Sequence, residues 1–475
     1  MNAPRRVSSF TLLGHPMRLH RVVALTVLAG AVSAGMVSAQ PSPGSAKLPP
    51  VRLLKPVDRT ASESFMAVSA ARALPGGRVL INDISGRRLV LFDSSLTSFT
   101  VVADTTSATA NAYASRMAGL IPWRADSSLF VDPQTLSMLV IDGNGKVARV
   151  MSIPRPDDAG SLIGGPNGTP GLDAQGRLVY RASVGFRMSG PRPGASGGGG
   201  AGFAPSFPDT VPLVRLTLAT RKLDTVAFLK IVKVNMTMNR DENGRVTMSS
   251  TLNPMQVVDD WAVMPDGRIA IVRGKDFHVD WIDADGKLTS QGRLSFAWRK
   301  MDDSAKVAFL DSTRIAIEKV RERQQASMRA GGTPGGPMMG GAPEGAGGAG
   351  SPMIVMRIDG GGPGGGGDGG PRRDVNPANM QLPPINMVQP SEMPDYAPAF
   401  GAGATRADGD GNLWIRTSLV MNGGSVYDVV NGRGELVDRI QVPAGRVIAG
   451  FGTGGVVYMG VREEGATRLE RARRP

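Results

Sequence analysis

Histidine and cysteine, the side chains on which most active sites depend, are nearly missing from this chain. Three histidines occur, at 15, 20 and 278, and there is no cysteine. His15 and His20 fall in the N-terminal leader, which leaves His278, in the run KDFHVDW, for the body of the protein. A Ser-His-Asp hydrolase needs a histidine base beside its nucleophile. No nucleophile-elbow pattern surrounds His278, and it reads as a strand histidine. Zinc and other transition metals want several His or Cys ligands, which these residues do not supply. Disulfides, iron–sulfur clusters and thiolate metal sites are excluded by the same count. No P-loop, dinucleotide fingerprint or HExxH pattern is present.

Oxygen donors remain. Asp408, Asp410 and Asn412 alternate with glycine in RADGDGNLW, like the opening of a calcium loop. The glutamate that completes the twelve-residue pattern is lacking, so a tight turn is expected. Asp283 and Asp285 in DADGK read the same way.

The elements that must position such residues are short strands. From residue 73 onward, Gly- or Asp-centred turns alternate with β-branched runs about 4–6 residues long, as strands do. Units begin near residues 73, 123, 172, 261, 405 and 446. Asn144-Gly145, Asp266-Gly267 and Asp285-Gly286 supply the left-handed conformations that tight hairpins require. Four short antiparallel strands per unit make a propeller blade. The expected fold is therefore all-β: a six-bladed β-propeller over residues 51–475, with a helical and Gly-rich insertion. A β-sandwich with irregular hairpins is the competing reading, but it predicts no four-strand grouping. The last unit is one strand short, and residues 51–54 are the expected donor of its outer strand, which would remove an open edge.

Residues 1–39 read as a signal peptide. Arg18 and Arg21 precede an apolar run over 22–37, and Val37-Ser38-Ala39 offers small residues before Gln40. Met17 begins a leader of more usual length, so the start is either Met1 or Met17. Residues 40–50 form a linker. No second long apolar stretch follows, so no transmembrane segment is expected in the mature chain. Export to the periplasm or the extracellular medium is the expectation.

Lys and Arg exceed Asp and Glu by 13. An anionic or carbohydrate ligand, or an envelope protein, would suit that balance. Nucleic acid would not, because basic patches interleaved with aromatics are absent. Arg116, Arg124 and Arg406 lie near inner-strand positions, where arginines clamp carboxylate or sulfate.

Two insertions interrupt the repeat. Residues 187–204 form a Gly-rich loop within blade three. Residues 299–395 comprise a helix over 301–330, capped by Asp302, Asp303 or Ser304, then a Gly/Pro/Met tract and a Pro-rich segment. This arm is either a lid or docking element, or an exposed loop without a role.

The end of the chain, residues 427–471 with VYDVVNGRGELVDRIQVPAGRVIAGFGTGG, resembles bacterial secreted six-bladed propellers of the TolB-like and NHL-like group. The PDGR-like turns and the signal peptide add to the resemblance, which spans residues 50–475 outside the Gly tracts. It implies the fold. Lactonase-like propellers hold a central calcium on inner-loop acidic and amide residues, and by that analogy Glu63, Asn111, Asp260 and Asp408 are candidate ligands. The group includes binding modules, lactonases and lyases. The leading expectation is an exported ligand- or protein-binding propeller without catalysis. The alternatives are a calcium-assisted hydrolase, lactonase or lyase, and a structural subunit of an envelope complex.

Overall fold

The computed structural model describes residues 48–106, 111–183, 187–188, 205–206, 208–233, 235–240, 246–329, 385–463 and 465–475. The leader, most of the 187–204 loop and residues 330–384 lie outside them.

Six four-stranded antiparallel sheets form the blades. From inner to outer strand, blade one is Val68–Ala73, Val79–Asp83, Arg88–Phe92 and Phe99–Ala103. Blade two is Gly119–Pro122, Ser128–Asp132, Ser137–Ile141 and Val147–Ser152. Blade three is Gly171–Leu172, Leu178–Arg181, Thr210–Thr217 and Lys222–Lys230. Blade four is Asp260–Val263, Ile269–Arg273, His278–Ile282 and Leu288–Ser290. Blade five is Phe400–Ala407, Leu413–Met421, Gly424–Val430 and Leu436–Gln441. Blade six is Arg446–Phe451, Val456–Glu463 and Ala466–Arg473, completed by Arg59–Phe65.

That last strand corrects the expected closure. Residues 51–54 do not complete blade six. Arg59–Phe65 does, antiparallel to Ala466–Arg473 with Arg59 opposite Arg471. Val51–Leu53 instead runs parallel to blade five's outer strand, with Val51 opposite Arg439. Burial explains the choice. Ala61 and Phe65 insert into the core between blades six and one. Residues 51–53 bury no side chain, and Leu54 beyond them anchors in the core between blades five and six.

Successive blades share one apolar core each. Leu89 meets the Phe130 cluster between blades one and two, Val131 and Tyr180 join blades two and three, and Val179 and Ile271 join three and four. Val272 and Leu413 join four and five, Val429 and Val457 join five and six, and Tyr458 and Val90 close the ring. Adjacent residues of one strand face opposite neighbours: Leu80 packs toward blade two, Val79 and Ile81 toward blade six. Both faces are therefore dry along the second and third strands of each blade, which is why those strands read as unbroken apolar runs and lack alternation, whereas outer strands such as Val147–Ser152 and Leu288–Ser290 are largely exposed.

The Gly-Arg pairs of the first hairpin turns clasp blades together. Arg78 donates to Asn144 Oδ1 at 3.3 Å, Arg177 to the Ala284 carbonyl, and Arg268 to the Gly432 carbonyl at 3.1 Å. Each bond runs from one blade's first turn to the next blade's last. The acceptors stand in tight turns, where Gly145 and Gly286 have φ of 80° and 89°.

The insertions build a satellite outside the ring. The hairpin Asn235–Arg240 and Val246–Leu252, which the sequence analysis did not assign, takes Ile385–Met387 as a third, parallel strand. The helix spans Asp303–Arg329. Asp302 caps it, accepting the Ala305 N–H at 2.8 Å. Its first half buries Leu310 against Met255, Met301, Val388 and Met393. Lys306, also buried, reaches Asp395 at 2.9 Å.

Candidate functional site

The six inner strands run in the same direction around the axis, so their C-terminal ends and first hairpin turns gather on one face. There they enclose a channel of about 740 Å³, lined by residues of every blade. Its wall combines apolar side chains, among them Ala71, Leu120, Trp123 and Phe451, with Arg72, Arg124 and Arg406.

The opposite end is crossed by chain. Between blade two's outer strand and blade three's inner strand lie two short helical turns, Pro156–Leu162 and Gly165–Asn167. A Cβ at Gly119, where blade two's inner strand begins, would run into the backbone of Leu162 and Ile163. The Gly165–Asn167 turn touches blade five's inner strand, and blade five stands opposite blade two in the ring. Asn167 then accepts the Trp261 indole N–H at 3.0 Å, and Thr169 bridges to Ala262. Residues 162–168 therefore span the ring at this end, and among the described residues the channel opens on the hairpin face. Asp158 anchors the segment, taking bonds from Arg155 Nε at 2.7 Å and Tyr180 Oη at 2.9 Å.

Near this crossing, Asp260 begins blade four's inner strand and is buried. Its Oδ2 accepts the Thr405 N–H at 2.7 Å, tying blade four to blade five. Burial raises its pKa, with the bonds from Thr405 opposing. Its charge acts on Arg181 of blade three and on Arg406 of blade five. Burial lowers the pKa of both arginines. Arg181 donates to Asn167 Oδ1, and its Nε is buried without a partner.

The residues singled out in the sequence lie as follows. Arg406 lines the channel and Arg124 stands exposed at its mouth, 5.5 Å over the Trp123 ring. Arg116 precedes blade two's inner strand and belongs to the opposite face. Glu63 sits on blade six's outer strand and pairs with Arg88 at 3.0 Å. Asn111 lies beside blade one's outer strand, donating to the Val102 carbonyl at 3.0 Å. Asp408 lines the mouth, but its carboxylate is spent on its own turn: it accepts from the Asp410 and Asn412 N–H groups at 2.9 and 2.8 Å and from the Trp414 indole at 2.9 Å. Glu63, Asn111, Asp260 and Asp408 do not converge. Among the described residues no three His, Cys, Asp or Glu side chains gather as metal ligands. His278 lies on blade four's third strand between Asp276 at 2.6 Å and Asp280 at 3.2 Å, away from the channel lining.

Arg72, Arg181, Arg416 and the crossing segment were not singled out in the sequence. One signal was there to read: Arg72-Ala73 and Arg406-Ala407 both precede a hairpin turn by the same interval.

No protein-family model and no curated protein sequence matches the chain. Solved structures are similar at low identity. An exported protein from Bacteroides fragilis is similar at 8% identity and a TM-score of 0.38, over 91% of this chain and 97% of that one. A gluconolactonase from Xanthomonas campestris is similar at 9% identity and a TM-score of 0.35, over 90% and 99%. A virginiamycin B lyase from Staphylococcus aureus is similar at 9% identity and a TM-score of 0.35, over 88% and 98%. The chain itself folds as an all-β six-bladed propeller with a helical insertion, and no described helix is long and apolar enough to cross a membrane.

Proposed function

We propose that this chain is an exported binding protein that takes a small molecule into the channel from the hairpin face. One observation carries the reading: the channel is open at one end, crossed by residues 162–168 at the other, and large enough at about 740 Å³ for a small organic ligand. The residues that favour binding over turnover are the committed ones. Asp408 is used by its turn, and His278 by two aspartates on an outer strand. Export, to the periplasm or beyond, rests on the leader at residues 1–39 and is tested by fractionating cells that express the full chain.

The test of the binding reading is a ligand-observed NMR screen of small organic molecules against the intact protein and Ala174→Trp, which narrows the mouth at an exposed position. Saturable binding lost in the variant, with thermal unfolding unchanged, is the expected result. Ligands that bind both proteins equally would sink the channel reading.

The second reading is a propeller hydrolase, lactonase or lyase; two of the similar proteins are a gluconolactonase and a lyase. Likeness at that level speaks to fold. Lactone hydrolysis that requires calcium and is lost on replacing Asp260 would favour this reading over the first.

A further inference from the structure

Blades one and five place an arginine on the same rung of their inner strands. In each, the first turn is closed by a backbone bond, Leu74 N–H to Arg78 and Asp408 N–H to Asn412. Arg72 and Arg406 both stand two residues before that bond.

Their surroundings differ. Arg72 reaches into blade two's hairpin and donates to Ser128 Oγ at 3.0 Å and to the carbonyls of Ala125 at 3.2 Å, Ile121 at 3.4 Å and Trp123 at 3.5 Å. All four acceptors are neutral, and burial brings its pKa down to about 10, with Asp126 opposing. Arg72 is thereby committed to holding two blades together. Arg406 has no such partners: among the described residues no hydrogen bond or ion pair engages its guanidinium, which lines the channel. Its titratable neighbours are the Tyr427 hydroxyl, Arg416, also without a described acceptor, and Asp260, one of whose oxygens already serves Thr405. Two like charges in a partly dehydrated site, where the one nearby carboxylate also serves Arg181, repel each other and lack the hydration they would have in water. An arriving anion relieves both penalties.

Arg406 stands opposite Trp414 on the neighbouring strand, and Arg416, two residues beyond Trp414, shares that face of the sheet. We propose that Arg406, which lines the channel, and Arg416 behind it form an inner subsite for the carboxylate of a small organic acid, whose body lies against the apolar wall of Ala71, Leu120, Trp123 and Phe451. This inference rests on the channel reading above. The planar fork of arginine matches the two oxygens of a carboxylate. Asp260 already contributes negative charge, which favours a monoanion over a dianion. The cavity has room for an organic body that an inorganic ion would leave unfilled.

The experiment titrates benzoate, its uncharged analogue benzamide and inorganic sulfate into wild type, Arg406→Gln and Arg416→Gln by calorimetry. Benzoate should bind saturably and benzamide at least about tenfold more weakly. Each variant should lose about tenfold or more of the benzoate affinity and leave benzamide unchanged. Because each substitution removes a repulsion, neither should lower the thermal midpoint; should Arg406→Gln fail to fold, Arg406→Lys keeps the charge, lacks the fork and should show an intermediate loss. Benzoate affinity unchanged in Arg406→Gln, or benzamide binding as tightly as benzoate, overturns the proposal. Sulfate binding ahead of benzoate overturns the choice of a carboxylate. If the screen against Ala174→Trp finds channel ligands whose affinity ignores both arginines, the subsite falls and the channel reading stands. If nothing binds the channel, both fall.

Discussion

Arg268, in blade four's first turn, donates to the carbonyl of Gly432, in blade five's last turn, at 3.1 Å. The same guanidinium pairs with Asp266 at 2.7 Å and covers the Trp281 ring at 4.8 Å. Three interactions converge on one side chain that bridges two blades. Arg268→Ala should therefore cost about 1–2 kcal/mol in urea denaturation. Arg78→Ala, whose bond to Asn144 is exposed, should cost less. The two clasps share no partner, so the double variant should equal the sum of the singles. A strongly non-additive result would show that the ring transmits strain between distant blades.

Asp428 makes stability depend on pH. Burial raises its pKa from 3.8 to about 6, with the Arg439 charge and its hydrogen bond at 3.2 Å opposing. A carboxyl that binds its proton more tightly when folded favours the native state in acid. That contribution is full below about pH 4 and is lost as pH rises through about 6. The swing is on the order of 3 kcal/mol. Asp428→Asn should flatten this segment of the stability profile, measured by chemical denaturation at a series of pH values. Equal slopes in variant and wild type between pH about 4 and 6 would refute the assignment.

Asp438 fastens both ends of the described chain to blade five. It accepts from Arg52 and, at 3.0 Å, from Arg474. Burial alone would raise its pKa, but these bonds more than offset it and hold the carboxyl below its ordinary value. Asp438→Ala should release Val51–Leu53 first, with a loss of about 1–3 kcal/mol. Limited proteolysis should then cut near residue 55 well before any blade is cleaved. An unchanged digestion pattern would mean that the backbone ladder with blade five suffices.

Gly168 has φ of 88°, and a Cβ there would meet the Trp261 indole. Gly168→Ala should displace the crossing segment, break the Asn167–Trp261 bond and shift tryptophan emission to the red. The cost should be about 1–3 kcal/mol. Emission and thermal midpoint identical to wild type would show that residues 162–168 reposition freely.

The blades were legible because their turns are chemically specific. Asp-Gly and Asn-Gly pairs punctuate apolar runs, and those runs lie in the structure as strands of a ring. The identity of the closing strand was not legible. Residues 51–54 and 59–65 are both short and extended in character, and only the packing of Ala61 and Phe65 against blades six and one decides between them. The channel was half legible. Arg124 and Arg406 lie along it because they follow or end inner strands, whereas Arg116, equally close in sequence to such a strand, comes before one and lands on the other face. Arg416 was hidden because it belongs to a second strand, and its nearness to Arg406 exists only once the hairpin closes. The crossing at residues 162–168 has no periodic pattern, since its role is set by contacts to blades far away in sequence.

The closing strand also dictates an order of events. Asp58 and Arg471 pair across 413 residues of sequence, so the strand Arg59–Phe65, made early, must wait for the last. Until residues 466–473 emerge, blade six cannot finish and the apolar flank of blade one that holds Phe65, Val79 and Ile81 stays wet. Val51–Leu53 waits in the same way for residues 439–441 of blade five, so the loop-closure entropy of nearly the whole chain falls on these late pairings. The ring should therefore assemble late and all at once. A chain held short of its final strand would remain a partner-seeking, aggregation-prone arc, which makes ring closure the step at which this protein most needs to be kept from its own copies.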